Sequence, residues 1–227
     1  MQADLGINPK HPRDSPHGSF SFDVSNGACG VLTAFEIADG FIRSGVVENA
    51  LVVAGDSDPG HGLARSFPYD AVGAAAVCRE GEDGSGFAGF RFDRAPEESG
   101  LAYSRVSYSN RRNRLEVETS EDFAGRAAPW AAKNVSSLLA DLDLRPHSVD
   151  LVIANPLSAS FREMFAYHAG IDEEVVLAVP GAERVLTAAP LLGLATAAER
   201  GWLRGARRVL MVSAGAGIVV GAGLMVV

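Results

Sequence analysis

Short apolar runs alternate with amphipathic stretches through the second half of the chain, and this rhythm constrains the fold more than any other feature. Each run is uninterrupted, which is typical of a strand covered on both faces, and each stretch between runs has helical spacing. The predicted elements are a hairpin or irregular loop over 103–117, a helix within 121–142, a strand over 150–154, a helix that Ser158 or Ser160 caps and Gly170 ends, a strand over 175–179, a helix over 187–200 and a strand over 209–213. Strands that alternate with helices build a mainly parallel sheet with the helices outside, so the chain is predicted to be an α/β protein.

The first half shows similar elements less regularly. Residues 50–55 and 74–78 are apolar runs that we also expect to be strands covered on two faces. Residues 79–100 are rich in Gly, Asp and Glu, and they form the best internal boundary. The chain is therefore divided into an N-terminal half over 1–90 and a C-terminal half over 91–227.

Cys29 lies where a strand is expected to turn into a helix. Residues 20–24 alternate apolar and polar side chains, which predicts a short half-buried strand, and residues 25–27 form a turn cluster. An apolar helix face follows, and Gly45 ends it. In the first turn of such a helix, unpaired backbone amides and the helix dipole favour a thiolate and can hold an oxyanion. The alternative is that Cys29 is a small buried apolar residue, as free cysteines commonly are.

Four blocks of the chain follow one another in an informative order. They are residues 23–29 with the helix that follows and the strand at 50–56, the Gly/Ala-rich stretch 67–77, the strand and loop 149–156, and the glycine-containing segment 209–227. In sequence and in order these blocks resemble the ketoacyl synthase III branch of the thiolase superfamily, over essentially the whole chain. The resemblance implies a thiolase-like fold of two stacked α/β halves.

The resemblance also implies a set of site residues. Enzymes of this family use a cysteine that accepts an acyl group, and a histidine and an asparagine that hydrogen-bond the thioester enolate. Aligned without gaps, the nucleophile position falls on Ala28, one residue before Cys29, and the histidine position falls on Asn155, which cannot shuttle a proton at neutral pH. The asparagine position lies within 183–185, where the sequence has no asparagine. The residues that receive roles are Cys29 and Asn155 as catalytic groups, and Ala28, Gly215 and Gly217 as the substrate or oxyanion site.

Two functions fit these residues. In the first, Cys29 takes an acyl group from an acyl-coenzyme A or an acyl carrier protein and passes it to an acceptor, as an acyltransferase or a 3-oxoacyl synthase does. In the second, the chain is a catalytically impaired companion subunit of a heteromeric condensing enzyme. Family members also place two further strands with their helices ahead of the segment that residues 1–7 resemble, so the first half is predicted to be incomplete. Open sheet edges tend to pair, which predicts a homodimer or a heteromer with a condensing-enzyme homologue.

Composition excludes several other classes of function. The net charge of −8 over 227 residues argues against a nucleic-acid surface, which needs a basic stripe. Cys29 and Cys78 form no disulfide framework, so a reducing cytoplasm is expected, and the histidines lack metal-binding spacing, so neither metal nor cofactor is expected. Residues 1–20 are polar and contain three prolines, which predicts a loop. Residues 209–227 are uncharged, but their glycines and valines favour a strand, a turn and a strand over a membrane helix.

Overall fold

A computed structural model describes residues 19–58, 60, 64, 67–109, 112–155, 158–177, 179 and 183–227; the loop predicted for residues 1–20 therefore lies almost wholly outside the described residues. The helices are α1 (Gly30–Arg43), α2 (Phe123–Asp141), α3 (Ala159–Ala169) and α4 (Ala189–Glu199). The strands are β1 (Asn49–Asp56), β2 (Val72–Arg79), β3 (Gly86–Arg94), β4 (Ala102–Ser109), β5 (Arg112–Thr119), β6 (Leu151–Ala154), β7 (Val176–Leu177), β8 (Arg208–Gly215) and β9 (Val219–Val226).

Five of these strands form one sheet in the order β3-β9-β8-β6-β7. β6 is parallel to β7 and β8, whereas β9 is antiparallel to β8 and β3, so four strands share a direction and β9 opposes them. β9 is reversed because it follows β8 after a short turn in which Gly217 has a φ of +99°, and so short a connection permits only antiparallel pairing. The predicted α/β class is confirmed, as is the strand, turn and strand at residues 209–227. No helix in the described part of the chain is long and apolar enough to cross a bilayer.

The elements predicted for residues 121–213 are confirmed in order, and local signals set their ends. Ser158 caps α3, because its Oγ accepts a hydrogen bond from the backbone N–H of Phe161 at 3.0 Å. Gly170 ends the same helix with a φ of +65°, which is the left-handed conformation that glycine adopts most readily. Residues 103–117 form a hairpin, the first of the two alternatives that the sequence allows.

One prediction for the region before residue 100 is wrong. The stretch 79–100 contains β3, whose pairing with β9 has a register shift between Phe87 and Gly89. The proposed limit between residues 90 and 91 falls inside this strand, and the division into two halves stays a prediction. Residues 20–24 form no strand, since none of the described strands pairs with them; instead Phe20 and Phe22 stack on each other and contact Phe41.

The helices divide into two layers around the five-stranded sheet. α2 and α3 pack together, and α2 covers one face of the sheet through β3, β8 and β9. α1 and α4 cover the other face, and the β1–β2 sheet packs on the far side of these two helices. Each layer has its own apolar cluster, one around Leu139 and Val212 and one around Phe35 and Met211. The order of layers is thus helices, five-stranded sheet, helices and two-stranded sheet.

The two-stranded sheet differs from its prediction. β1 and β2 pair antiparallel over eight residues, but only one face of this sheet packs on α1 and α4. Leu51, Val53 and Val77 point to the other face and are half-exposed or more. The expectation that both strands are covered on two faces is therefore wrong, because uninterrupted apolar sequence identifies an apolar surface but not the presence of a covering layer.

A buried carboxylate joins this sheet to the helical layer. Asp56, at the end of β1, accepts hydrogen bonds from the backbone N–H groups of Leu186, Thr187 and Ala188 at 2.9 to 3.3 Å. These amides precede α4, where unpaired N–H groups and the helix dipole both favour a negative charge. Asp56 therefore fixes the start of α4 against the end of β1.

We expect Asp56→Ala to lower the free energy of unfolding by about 3 kcal/mol, because three amides lose a charged acceptor. Urea unfolding measures this loss. Asp58→Ala is the matched control: Asp58 is exposed and its carboxylate accepts a hydrogen bond only from the nearby Gly60 N–H among the contacts described, so its removal is expected to cost about 0.5 kcal/mol or less. Equal losses in the two variants would contradict the role of Asp56.

Candidate active site

Cys29 lies at the start of a helix, as its sequence context predicts. Residues Gly27–Cys29 form one 3-10 turn that runs directly into α1. Gly27 has a φ of +50°, which permits the tight entry, and Thr33 donates a hydrogen bond to the Cys29 carbonyl at 3.0 Å. The backbone position is therefore the one at which a helix dipole acts on a thiol.

The side chain of Cys29 points into the protein and away from solvent. Its Sγ lies 3.6 Å from the carbonyl oxygen of Ser213 and 3.9 Å from that of Val219, on the adjoining strands β8 and β9. The residue is 0% exposed. A Cβ placed on Gly221 would lie 3.3 Å from this sulfur and 2.8 Å from the Phe92 ring. The thiol thus fills a gap between the helix and the sheet, next to two carbonyl groups that repel a negative charge.

Burial raises the pKa of Cys29 from 9.0 to about 12, and the opposing effect of the Arg94 charge is smaller. This is the reverse of the sequence prediction, in which the helix start lowers the pKa. The cause is burial, because removal from water penalises the charged thiolate. At neutral pH the thiol of Cys29 is protonated, which argues against its predicted role as a nucleophile.

Ala28 lies next to Gly215, the last residue of β8. A Cβ added to Gly215 would lie 3.0 Å from the Cβ of Ala28 and 3.3 Å from its backbone nitrogen, so only glycine lets the two backbones approach so closely. Gly217 lies in the turn beyond β8, where a Cβ would contact no atom within 4 Å. The structure therefore brings Ala28 and Gly215 together. The side chain of Ala28 at this contact is a methyl group, which cannot act as a nucleophile.

Asn155 directly follows β6 and continues its pairing with β8. Its Nδ2 donates to the Ala214 carbonyl at 2.9 Å, and its Oδ1 accepts from the Ala214 N–H at 2.9 Å. The side chain is 1% exposed. Both ends of the amide are thus bound to one backbone residue, which argues for a structural role in place of the predicted catalytic one.

No histidine that the structure describes replaces the missing family histidine. His147 precedes β6, and His168 lies in the last turn of α3, whose end is near Pro146. Both histidines therefore lie near the N-terminal end of β6, whereas Asn155 and Gly215 lie at the C-terminal ends of β6 and β8. Over the same described ranges, no three His, Cys, Asp or Glu side chains converge in a group that could hold a metal ion.

Two open clefts on the surface lie elsewhere. The larger, of about 820 Å³, is lined by Asp150, Val176, Arg200 and Trp202 among others, at the starting ends of β6 and β7. The smaller, of about 430 Å³, lies beside the starts of α2 and α3 and is lined in part by Met164. Neither cleft is lined by a residue of the predicted site.

Comparison with known proteins identifies the fold. No family model and no curated protein matches the chain. Among solved structures, β-ketoacyl-[acyl carrier protein] synthase III from Thermus thermophilus matches with a TM-score of 0.80 and 20% identity, over 100% of this chain and 70% of that one. The chain therefore has the α/β, thiolase-like fold that the sequence predicts.

Two further structures place the fold in the same group. The 3-oxoacyl-[acyl-carrier-protein] synthase III from Aquifex aeolicus VF5 matches with a TM-score of 0.71 and 24% identity, over 92% of this chain and 68% of that one. An OleA variant from Xanthomonas campestris, with bound lauric acid and lauroyl-CoA, matches with a TM-score of 0.79 and 20% identity, over 100% of this chain and 69% of that one. At these identities the likeness establishes the fold, and the chemistry must be argued from this chain's own residues.

The residues that enclose the thiol carry little signal in the sequence. Gly221 stands out only as one of several glycines, although its missing side chain leaves the space that Cys29 and Phe92 fill. Asp56 follows an apolar run in the sequence, and this position could have predicted a buried carboxylate that binds backbone amides. The carbonyls of Ser213 and Val219 carry no sequence signal, because any residue supplies them.

The raised pKa of Cys29 predicts how stability changes in alkaline solution. Between pH 9 and pH 12 the thiol ionises in the unfolded chain but not in the folded one, so the unfolded state binds fewer protons and stability falls as pH rises. The comparison uses the single variant Cys78→Ser and the double variant that also carries Cys29→Ala. The free energy of unfolding of the single variant should fall by about 1.4 kcal/mol more per pH unit than that of the double variant. Urea unfolding at a series of pH values measures both slopes, and equal slopes would contradict the burial of a protonated thiol.

Proposed function

We propose that this chain is a non-catalytic companion subunit of a ketoacyl synthase III-like condensing enzyme. The observation that carries the proposal is the enclosed, protonated thiol of Cys29, together with Ala28 at the position next to Gly215. Acyl transfer through a cysteine needs a thiolate within reach of a thioester carbonyl. A sulfur held between two backbone carbonyls and closed off from solvent meets neither condition.

Asn155 supports the same proposal. A group that assists decarboxylation must present a free donor to the thioester oxygen, as an oxyanion site requires. The Asn155 amide instead uses its Oδ1 and one Nδ2 proton to bind the N–H and the carbonyl of Ala214, and the residue is 1% exposed. Residues 183–185 contribute no asparagine, and the amides that follow them bind Asp56. The residues at the three family positions, which are Ala28, Asn155 and 183–185, therefore support a structural role.

The fold supports a proposal about the process in which the chain acts. Two structural neighbours are named as [acyl carrier protein] synthases III, and an OleA variant is named with bound lauroyl-CoA. We therefore assign the chain to cytoplasmic acyl-thioester metabolism, as a heteromer with a catalytic homologue that binds the acyl-coenzyme A or the acyl carrier protein. In that assembly the companion supplies structure while the partner supplies the reactive cysteine.

Incubation with lauroyl-CoA, followed by mass measurement of the intact protein, tests this function. We expect no acyl adduct on this chain and no release of coenzyme A, whereas OleA from Xanthomonas campestris in a parallel reaction serves as the positive control. Cys78→Ser removes the second thiol, so that any adduct reports on Cys29 alone. A lauroyl adduct that Cys29→Ser abolishes would restore the enzyme hypothesis and end the companion proposal.

A further inference from the structure

The larger cleft lies across the N-terminal ends of three parallel strands. In the five-stranded sheet β6 is flanked by β7 and β8, and the cleft is lined by residues at or just before the start of each. Leu151 of β6 and Val176 of β7 are buried, so they form an apolar floor. Asn155 and Gly215 lie at the other ends of the same strands, so the cleft is separate from the candidate active site.

The turn before β7 places carboxylates on one side of the cleft. This turn is Glu173–Val175, and its two glutamates both line the cleft. Glu173 is already paired, because its Oε1 lies 2.7 Å from Nη2 of Arg162. Glu174 is exposed and forms no ion pair with any residue that the structure describes. Glu174 therefore supplies a free negative charge.

The turn before β8 places a free positive charge on the opposite side. Arg200 and Trp202 line the cleft there, and the guanidinium carbon of Arg200 lies 5.0 Å from the centre of the Trp202 ring. Trp202 is 41% exposed, and no described carboxylate pairs with Arg200. A guanidinium that stacks on an aromatic ring keeps its N–H edge available for a carboxylate. This side of the cleft thus offers an anion site next to an apolar ring.

Asp150, between the two turns, already has partners. Its Oδ2 accepts hydrogen bonds from the backbone N–H groups of Arg207 and Arg208 at 2.9 and 2.8 Å. Over the described ranges, Glu174 and Arg200 are therefore the two charged side chains of the cleft that lack a charged or hydrogen-bonding partner for the charge.

The separation of these two charges limits the ligand. Neighbouring strands of a sheet lie about 4.8 Å apart, so the turns that precede β7 and β8, two strands apart, are about 10 Å from each other. An extended chain of three residues also spans about 10 Å. A ligand with only an anionic end would leave the Glu174 carboxylate beside its apolar body, where the carboxylate loses water without gaining a partner.

We propose that this cleft binds a short peptide with apolar side chains and free ends, about three residues long. Its ammonium group pairs with Glu174, its carboxylate pairs with Arg200, and its side chains cover Trp202 and the apolar floor. The cleft volume of about 820 Å³ is within the range of about 300–1,000 Å³ that small-ligand sites have. This site goes beyond the companion-subunit role and does not depend on it.

Calorimetric titration of the wild-type chain with trileucine is the first measurement. N-acetyl-trileucine lacks the ammonium group and trileucine amide lacks the carboxylate. Since each loses one charge-assisted contact, we expect each to bind at least about tenfold more weakly than trileucine. Equal binding of the three peptides, or no heat of binding with trileucine, would overturn the proposal. Laurate that binds as tightly as trileucine would overturn it too, because the site would then be one for an apolar carboxylate.

Four variants test where the peptide binds. Arg200, Glu174, Arg204 and Glu163 all have exposed side chains, but only the first two line the cleft. We expect Arg200→Gln and Glu174→Gln to weaken trileucine at least about tenfold, and the controls Arg204→Gln and Glu163→Gln to change its Kd by less than about twofold. Arg200→Gln should leave binding of the amide unchanged, and Glu174→Gln should leave binding of the N-acetyl peptide unchanged. Equal effects of all four variants would contradict the assignment to this cleft.

Trp202 reports on the same site by fluorescence. The chain has two tryptophans, and Trp130, in α2, lines neither cleft. In Trp130→Phe, whose folding thermal unfolding checks, trileucine should change the emission of Trp202 with the Kd that calorimetry gives for the same variant. Binding without any change in Trp202 emission would overturn the proposal. The lauroyl-CoA experiment measures an adduct on Cys29, so the two proposals fail separately.

Discussion

The close approach of the α1 entry turn to the β8–β9 pair is the constraint on which the rest of the structure depends. Gly215 admits the backbone of Ala28, and Gly221 leaves the space that Cys29 and Phe92 share. A methyl group at either glycine would lie at or inside the closest distance that real side chains adopt. Helix α1 therefore rests directly on the five-stranded sheet, and the helical layer that supports β1–β2 is set by that contact.

This contact also explains why a thiol at a favourable backbone position is buried. The helix start offers its dipole, but the side chain is directed into the seam between β8 and β9, where two carbonyl oxygens face it. One residue earlier, the side chain meets Gly215 in place of the seam. In a helical turn a shift of one residue rotates the side chain by about 100°, so neighbouring positions meet different surroundings.

Sequence reasoning recovered most of the fold because the signals were local. The alternation of strands and helices after residue 120, the Ser158 cap and the Gly170 stop each depend on residues adjacent in the chain. The covering of β1 and β2 was not predictable, since an apolar run looks the same with or without a layer above it. The strand β3 was hidden because the register shift at Phe87 and Gly89 disrupts its alternation.

The backbone positions of the candidate site residues could be predicted from the sequence. The burial and hydrogen bonding of their side chains could not. The sequence places Cys29 at a helix start and Asn155 after a buried strand, and the structure agrees on both places. The direction of the sulfur, and the pairing of the Asn155 amide with Ala214, depend on residues about sixty to more than one hundred and eighty positions away along the chain. Such contacts leave no trace in local spacing, so the chemical state of both residues had to come from the structure.

Burial of the Cys29 sulfur in the folded protein means that it becomes accessible only when the protein unfolds. The rate of its modification by a thiol reagent, measured in the Cys78→Ser variant over a series of urea concentrations below the unfolding transition, tests this claim directly. The account predicts that the free energy of opening obtained from the labelling rate equals the free energy of global unfolding, and that both fall with urea at the same slope. Rapid labelling in the absence of urea, at a rate that urea does not change, would contradict it and would place the thiol at an open site.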